Sequence, residues 1–154
     1  MTPGRIDLKI VTDRLAIVDA AVDELRGLPA TSVDDFTADR RNIWASDALL
    51  RRAIEALFDA ARHLLARAHG RGGLEYRDVA RMASDKGLIP AGHLSERMLK
   101  IAGFRNRLAH YYDEVTPAEL FAVVSGELDD LTALTGALRA SAARLAGDDT
   151  LPSQ

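Results

Sequence analysis

Apolar side chains recur along the chain at helical spacing almost from its start. Leu8, Val11, Leu15, Val18, Val22 and Leu25 stand at gaps of 3, 4, 3, 4 and 3, the seam of a helix packed nearly parallel or antiparallel to its neighbours, and Gly27 with Pro29 ends it. After a short stretch at Thr31 to Asp39, a longer pattern runs through Leu50, Ile54, Leu57, Ala61 and Leu64 and stops at Gly70, with Gly72 and Gly73 beyond. A shorter piece, Glu75 to Lys86, carries Tyr76, Val79 and Ala83 and closes at Gly87. Leu88-Ile89-Pro90 leads into a fourth helix with Leu94, Met98, Ile101 and Leu108 on one stripe. The fifth opens at Thr116-Pro117-Ala118-Glu119, a capping threonine with Pro at the first helical position and Glu at the third. It continues through Leu120, Val124, Leu131, Leu134, Leu138 and Leu145, and past Gly147 the polar residues 147–154 read as a frayed tail.

No strand-like alternation interrupts this. The pattern predicts an all-α fold, an up-and-down bundle of four main helices plus one short helix, in a single domain over residues 1–154. Composition agrees, with 26 Ala and 21 Leu among 154 residues and 5% aromatics. With zero Cys, disulfides, thiolate metal sites and a cysteine nucleophile are excluded. His69 and His93 lack ligand spacing, and with only four His and no Cys no metal or other cofactor is expected. Gly70, Gly72 and Gly73 follow no strand and precede no Lys-Ser pair, which speaks against a phosphate cradle there. No segment has the roughly 18 apolar residues of a membrane span, and Met1 to Leu8 has the character of neither a signal nor a transit peptide, so a cytoplasmic protein is expected.

The net charge of −3 conceals a segregation. Residues 40–107 hold 14 Lys/Arg against 7 Asp/Glu, leaving the middle at +7 and the flanks at −10. A middle of this kind suits a surface for phosphate or nucleic acid; an antiparallel bundle pairing a basic helix with an acidic one reads the same way.

Chemistry and helical phase disagree in one place. The fourth seam continues from Ile101 to Arg105, Leu108 and Tyr112, setting a guanidinium on an apolar stripe, where charge is costly unless it is paired or opens onto a cleft. Around it the chain reads Gly103-Phe104-Arg105-Asn106-Arg107-Leu108-Ala109-His110-Tyr111-Tyr112. Arg105, four residues, His110, one residue and Tyr112 together resemble the R-x4-H-x-Y signature of the HepT-like branch of the HEPN superfamily, including the polar Asn106 after the arginine. Leu88-Ile89-Pro90, Phe104, Asp113-Glu114 and the Thr116 helix start fit that family's layout, and the likeness runs from about Arg52 to Leu138.

The resemblance implies a toxin of a toxin–antitoxin pair, an endoribonuclease that cuts RNA without metal. RNA's own 2′-hydroxyl can attack the adjacent phosphate if something moves protons and something neutralises the anionic transition state. An imidazole, with an intrinsic pKa near 6.5, suits the first task, and Arg105 suits the second through paired N–H donors. Asn106 and Arg107 are supporting candidates, for orienting a phosphate or the imidazole and for adding field along the RNA backbone. Tyr112 is implied to accept adenylate groups from a small nucleotidyltransferase antitoxin of the MntA type, which would put bulk and negative charge where the RNA phosphate must sit.

On a regular helix Arg105 and His110 lie about 140 degrees apart and Tyr112 within about 20 degrees of Arg105. Either the helix loosens near His110 or the site is shared. The resemblance implies a homodimer whose two motifs face one another, so that the Arg of one chain meets the His of the other. Plainer roles stand beside these: a helix-end arginine with a carboxylate, a histidine satisfying last-turn carbonyls, a tyrosine capping the bundle. Asp59 and His63, spaced i and i+4 with Glu55 a turn earlier, could pair with Arg105 or line the cleft, or form a solvated pair. Asp47, in phase with Ile43 and Leu50, could partner an arginine. The rival function is a non-catalytic helical binding subunit of a nucleotidyltransferase complex, which needs the apolar faces but not His110.

Overall fold

The computed structural model describes residues 4–110 and 114–148, and every regular element among them is a helix. In chain order these are α1 (Leu8–Arg26), α2 (Val33–Thr37), α3 (Arg40–His69), α4 (Tyr76–Asp85), α5 (His93–Ala109), α6 (Pro117–Gly126) and α7 (Leu128–Asp148). Four main helices, α1, α3, α5 and α7, form the bundle as the spacing predicts. None of the seven is long and apolar enough to cross a membrane.

Helix ends sit where the local chemistry sets them. The Asp7 carboxylate accepts from the Lys9 and Ile10 amides and starts α1. Asp39 accepts from the Arg41 amide to start α3, and Gly70, in the left-handed region at φ 65°, ends it. The Gly70 amide donates to the Ala66 carbonyl and the Arg71 amide to the Leu65 carbonyl at 3.0 Å. At α6 the Thr116 hydroxyl accepts from the Glu119 amide while the Glu119 carboxylate accepts from the Thr116 amide.

α3 is the spine. Its Leu50, Ala53, Ile54, Leu57, Phe58, Ala61, Leu64 and Leu65 are buried, and it touches every other helix. α1 lies along it and along α7, closing its Leu15, Val18, Val22 and Leu25 into the same core. The connection between α4 and α5 is pinned inward by buried Leu88 and Ile89 and by the Ser141 hydroxyl, which donates to the Leu88 carbonyl at 2.7 Å.

Three features depart from the sequence pattern. The stretch before Asp39 holds α2, capped by Ser32 and anchored by fully buried Phe36, whose carbonyl accepts from Asn42 Nδ2 at 3.0 Å. The expected fifth helix is two: Glu127 takes a non-helical φ of −123°, and the break lets α6 lie against α2 and α3 while α7 follows α1. Buried Leu128 keeps the apolar spacing from Val124 to Leu131 intact across the break, so periodicity could not show it. The tail also begins later than expected, since Gly147 and Asp148 are helical; residues 149–154 lie outside the described residues.

His63 joins the start of α1 to the spine. Its Nε2 accepts from the Asp7 amide at 3.0 Å, which requires the neutral ring. Burial, followed by the nearby Arg67, holds its pKa below the usual 6.5, and Asp7 opposes weakly. A histidine depressed in the folded state contributes stability that is present above the unfolded pKa and lost as pH falls through the folded one. Melting temperatures should therefore drop as pH falls below about 6.5. His63→Gln, whose amide oxygen can still accept, should flatten that drop; parallel curves for the two proteins would refute the assignment.

Candidate active site

The stripe of α5 that carries Leu94, Met98 and Ile101 delivers the Arg105 side chain, 25% exposed, against α3 and α4. Arg105 Nη2 donates to Glu55 Oε1 at 3.3 Å. The guanidinium carbon lies 4.3 Å from the centre of the Tyr76 ring. That ring is itself fixed: it packs 5.0 Å from fully buried Phe58, and a second guanidinium, from Arg62, lies over it at 4.4 Å. Arg62 donates its Nε to the Leu74 carbonyl at 3.2 Å and pairs with Asp59 at 3.5 Å. The cost of an arginine on an apolar face is thus met by a π face and a carboxylate, with Asp59 neutralising the second cation. Arg105 Nε is buried without a hydrogen-bond partner among the described residues. Of five N–H donors only one is committed to Glu55, so the head keeps donors for an anion.

His110 stands just past the end of the same helix. α5 ends at Ala109, and His110 has extended backbone, φ −113° and ψ 116°, with its amide donating to the Arg107 carbonyl at 3.2 Å. Its side chain is exposed. The helical phase that set Arg105 and His110 on different faces therefore does not reach His110. The same end of helix removes the phase argument that put Tyr112 beside Arg105. Tyr112 itself lies outside the described residues.

Arg107 explains why the chain turns here. Both terminal nitrogens of its guanidinium engage the Glu119 carboxylate, Nη2 at 3.1 Å from Oε1, and Nη2 also donates to the Glu114 carbonyl at 3.2 Å. Arg107 holds the Glu119 carboxyl below its ordinary pKa range. The side chain read as a source of field for RNA thus ties the end of α5 to the cap of α6. Asn106 is half-buried, and its side-chain amide makes no hydrogen bond with a described residue.

The two expected neighbours from α3 divide. Asp59 reaches Arg62 and, at 3.8 Å, Arg14, and lines the cleft beside Glu55. His63 faces the start of α1 and not Arg105. Of the alternatives open to this stripe, the pairing with Arg105 is made by Glu55, one turn earlier, because that residue's phase on α3 meets α5. Tyr76 gave no signal beyond an apolar position in a short helix. Asp47 pairs with Arg51 at 3.0 Å, as its phase suggested.

Part of the charge segregation is pairing between helices. Arg97 pairs with Glu127 and Asp130, and Arg107 with Glu119, joining the basic middle to acidic α6 and α7. Arg40 and Arg52 make no ion pair with a described residue.

A family model described as "Ribonuclease HepT-like" matches residues 18–138. A tRNA nuclease HepT from Aphanizomenon flos-aquae (strain 2012/KM1/D3) is 26% identical over 121 residues, which is 78% of this chain and 81% of that protein. Among solved structures, the tri-AMPylated Shewanella oneidensis HEPN toxin in complex with MNT antitoxin superimposes with a TM-score of 0.75 at 22% identity, covering 85% of this chain and 97% of that one. A toxin–antitoxin structure with AMP-PNP gives a TM-score of 0.71 at 21% identity, over 84% and 97% of the two chains. At these identities the structural likeness shows a shared fold.

Because Arg105 rests on the surface of the core and Glu55 is half-exposed, the cluster should be separable from folding. Arg105→Ala is expected to keep the helical circular dichroism spectrum and to lose about 1–2 kcal/mol in urea unfolding, the sum of an exposed ion pair and one cation–π contact. A loss above about 4 kcal/mol, the range of buried-charge disruption, would make Arg105 a pillar of the fold instead.

Proposed function

The chain belongs to the HepT-like ribonuclease family, and from that premise we propose that it is the toxin of a toxin–antitoxin pair, a metal-independent endoribonuclease that works as a homodimer. The observation that supports this most is the state of the motif arginine. Its guanidinium is held against Tyr76 and Glu55 with donors to spare, ready for a phosphate without first reorganising.

The chemistry follows from the groups present. The neutral His110 imidazole takes the proton from the 2′-hydroxyl next to the scissile phosphate. The 2′-oxygen attacks phosphorus, the bond to the 5′-oxygen breaks, and the imidazolium returns its proton to that leaving oxygen. The products are a 2′,3′-cyclic phosphate and a free 5′-hydroxyl, so no water, oxidant or metal enters the balance. Arg105 carries the extra charge on the phosphate oxygens during the transfer, and Glu55 keeps the guanidinium pointed. Because α5 ends at Ala109, helical phase does not bar His110 from facing a second copy of the chain, whose Arg105 would complete the site. Asn106, next to Arg105 in the chain, is a further donor for orienting a phosphate. The Arg107 clamp acts on the reaction through the position it gives residues 108–110.

Neutralisation is proposed to run through Tyr112. A similar fold, the Shewanella oneidensis HEPN toxin, is tri-AMPylated and bound to an MNT antitoxin. For this chain the partner is a nucleotidyltransferase of the MntA type, and adenylate groups on Tyr112 would bring phosphates to the guanidinium that RNA needs.

Two measurements test the reading. Arg105→Ala and His110→Ala should each cut RNA at least about 100-fold more slowly and relieve growth arrest while melting normally, with wild-type cleavage surviving excess EDTA. Cleavage retained in both variants would end the nuclease assignment. Intact mass of the protein co-expressed with its nucleotidyltransferase should rise by whole adenylate units that map to Tyr112; an unmodified Tyr112 in a silenced protein would contradict the proposed control.

A further inference from the structure

A second feature of α3 remains outside this chemistry. A cleft of about 560 Å³ opens between α1 and the first half of α3 and includes Glu55 and Asp59 in its wall, so it is continuous with the Arg105 ion pair. Trp44 also lines it. The indole is 65% exposed and makes no hydrogen bond or ring contact with a described residue. Trp44, Ala48, Arg51 and Glu55 follow one another at i, i+4, i+7 and i+11, a single face of α3. From Trp44 to Glu55 that face runs about 16 Å, the length of roughly five stacked nucleotides at 3.4 Å each.

Asp47, Glu55 and Asp59 supply three carboxylates to the cleft, and Arg14, Arg51 and Arg52 supply three guanidiniums. Asp47 pairs with Arg51, and Glu55 and Asp59 also pair with Arg105 and Arg62 from outside the lining, so each carboxylate is matched. Exposed Arg52 makes no ion pair with a described residue. Ile17 is the one other large apolar side chain among the described residues of the wall, too little for an apolar docking face. A lone exposed aromatic ring beside the Arg52 guanidinium, which no described carboxylate engages, matches a polyanion that carries flat bases.

We propose that this cleft is a subsite for single-stranded RNA flanking the cleavage point, in which one base stacks on Trp44 and the neighbouring phosphates pass Arg51 and Arg52 on their way to Arg105. The substrate class rests on the ribonuclease reading above; the position of the subsite rests on the cleft itself.

Trp44 is the chain's single tryptophan, so intrinsic fluorescence reports on this ring alone. The full chain carrying His110→Ala, which is expected to stop cleavage and leaves Arg105 in place, is titrated with a 12-nucleotide oligouridylate and with duplex RNA of the same length. The single strand should quench the fluorescence and the duplex should not. In the same background, anisotropy of a labelled oligouridylate should show about tenfold weaker binding for Trp44→Ala, recovered largely by Trp44→Phe. Arg51→Gln with Arg52→Gln should weaken binding and flatten its salt dependence. An unquenched Trp44 when anisotropy shows RNA bound, or equal affinity in Trp44→Ala, overturns the proposal. So does a fall in the light-scattering mass of Trp44→Ala, which would assign the ring to a protein–protein contact. The two readings fail separately. Cleavage by the wild type with an unchanged KM in Trp44→Ala sinks the subsite alone, whereas quenching with no cleavage of any RNA sinks the nuclease alone.

Discussion

Holding one guanidinium charged and oriented on an otherwise apolar helix face is the constraint around which this end of the molecule is built. Arg105 occupies the next turn of the stripe that buries Met98 and Ala102, where an unpaired cation would be expensive. Tyr76 and Glu55 share the task from two different helices. The aromatic face supplies attraction without consuming an N–H donor, and the half-exposed carboxylate takes one. A fully buried carboxylate would have bound the head tightly and left less for a phosphate. Phe58 behind the ring and Arg62 beside it turn Tyr76 into a fixed platform, so the position of the motif arginine is inherited from the core of α3.

The end of α5 supplies the other half. A helix continued through residue 110 would have turned the imidazole away from the arginine; ending it at Ala109 releases that restriction. The Arg107 clamp links this event to the cap of α6, so Thr116 and Glu119, remote from any chemistry, help decide where His110 stands. Cations of the middle segment thereby divide between joining helices, as Arg97 and Arg107 do, and staying open to an anion, as Arg52 does.

What could be read from the sequence follows the range of the interactions involved. Caps and periodicity are local, so the starts at Asp7 and Thr116, the stop at Gly70 and the four main helices were visible in the spacing. The motif from Arg105 to His110 stood out because its charges violate the apolar phase, and the family it resembles is the family the chain matches. Tyr76 was hidden, and Glu55 could not be told from Asp59 and His63 as the partner of Arg105, because these roles arise only when α4 and α3 meet α5, 29 and 50 residues apart in sequence. The spacing could not show the partner of His63 for the same reason: the Asp7 amide stands at the cap of α1, 56 residues away. The break at Glu127 escaped because Leu128 preserves the apolar register on both sides of it.

The central claim is that Arg105 and His110 cooperate across two copies of the chain. Arg105→Ala and His110→Ala subunits carrying different tags can be co-expressed and the mixed dimer isolated by tandem purification. If each site takes its arginine from one subunit and its histidine from the other, the mixed dimer contains one site with both groups intact and should recover about half of the wild-type turnover. A mixed dimer as inactive as either parent would place both groups in one chain and contradict the account.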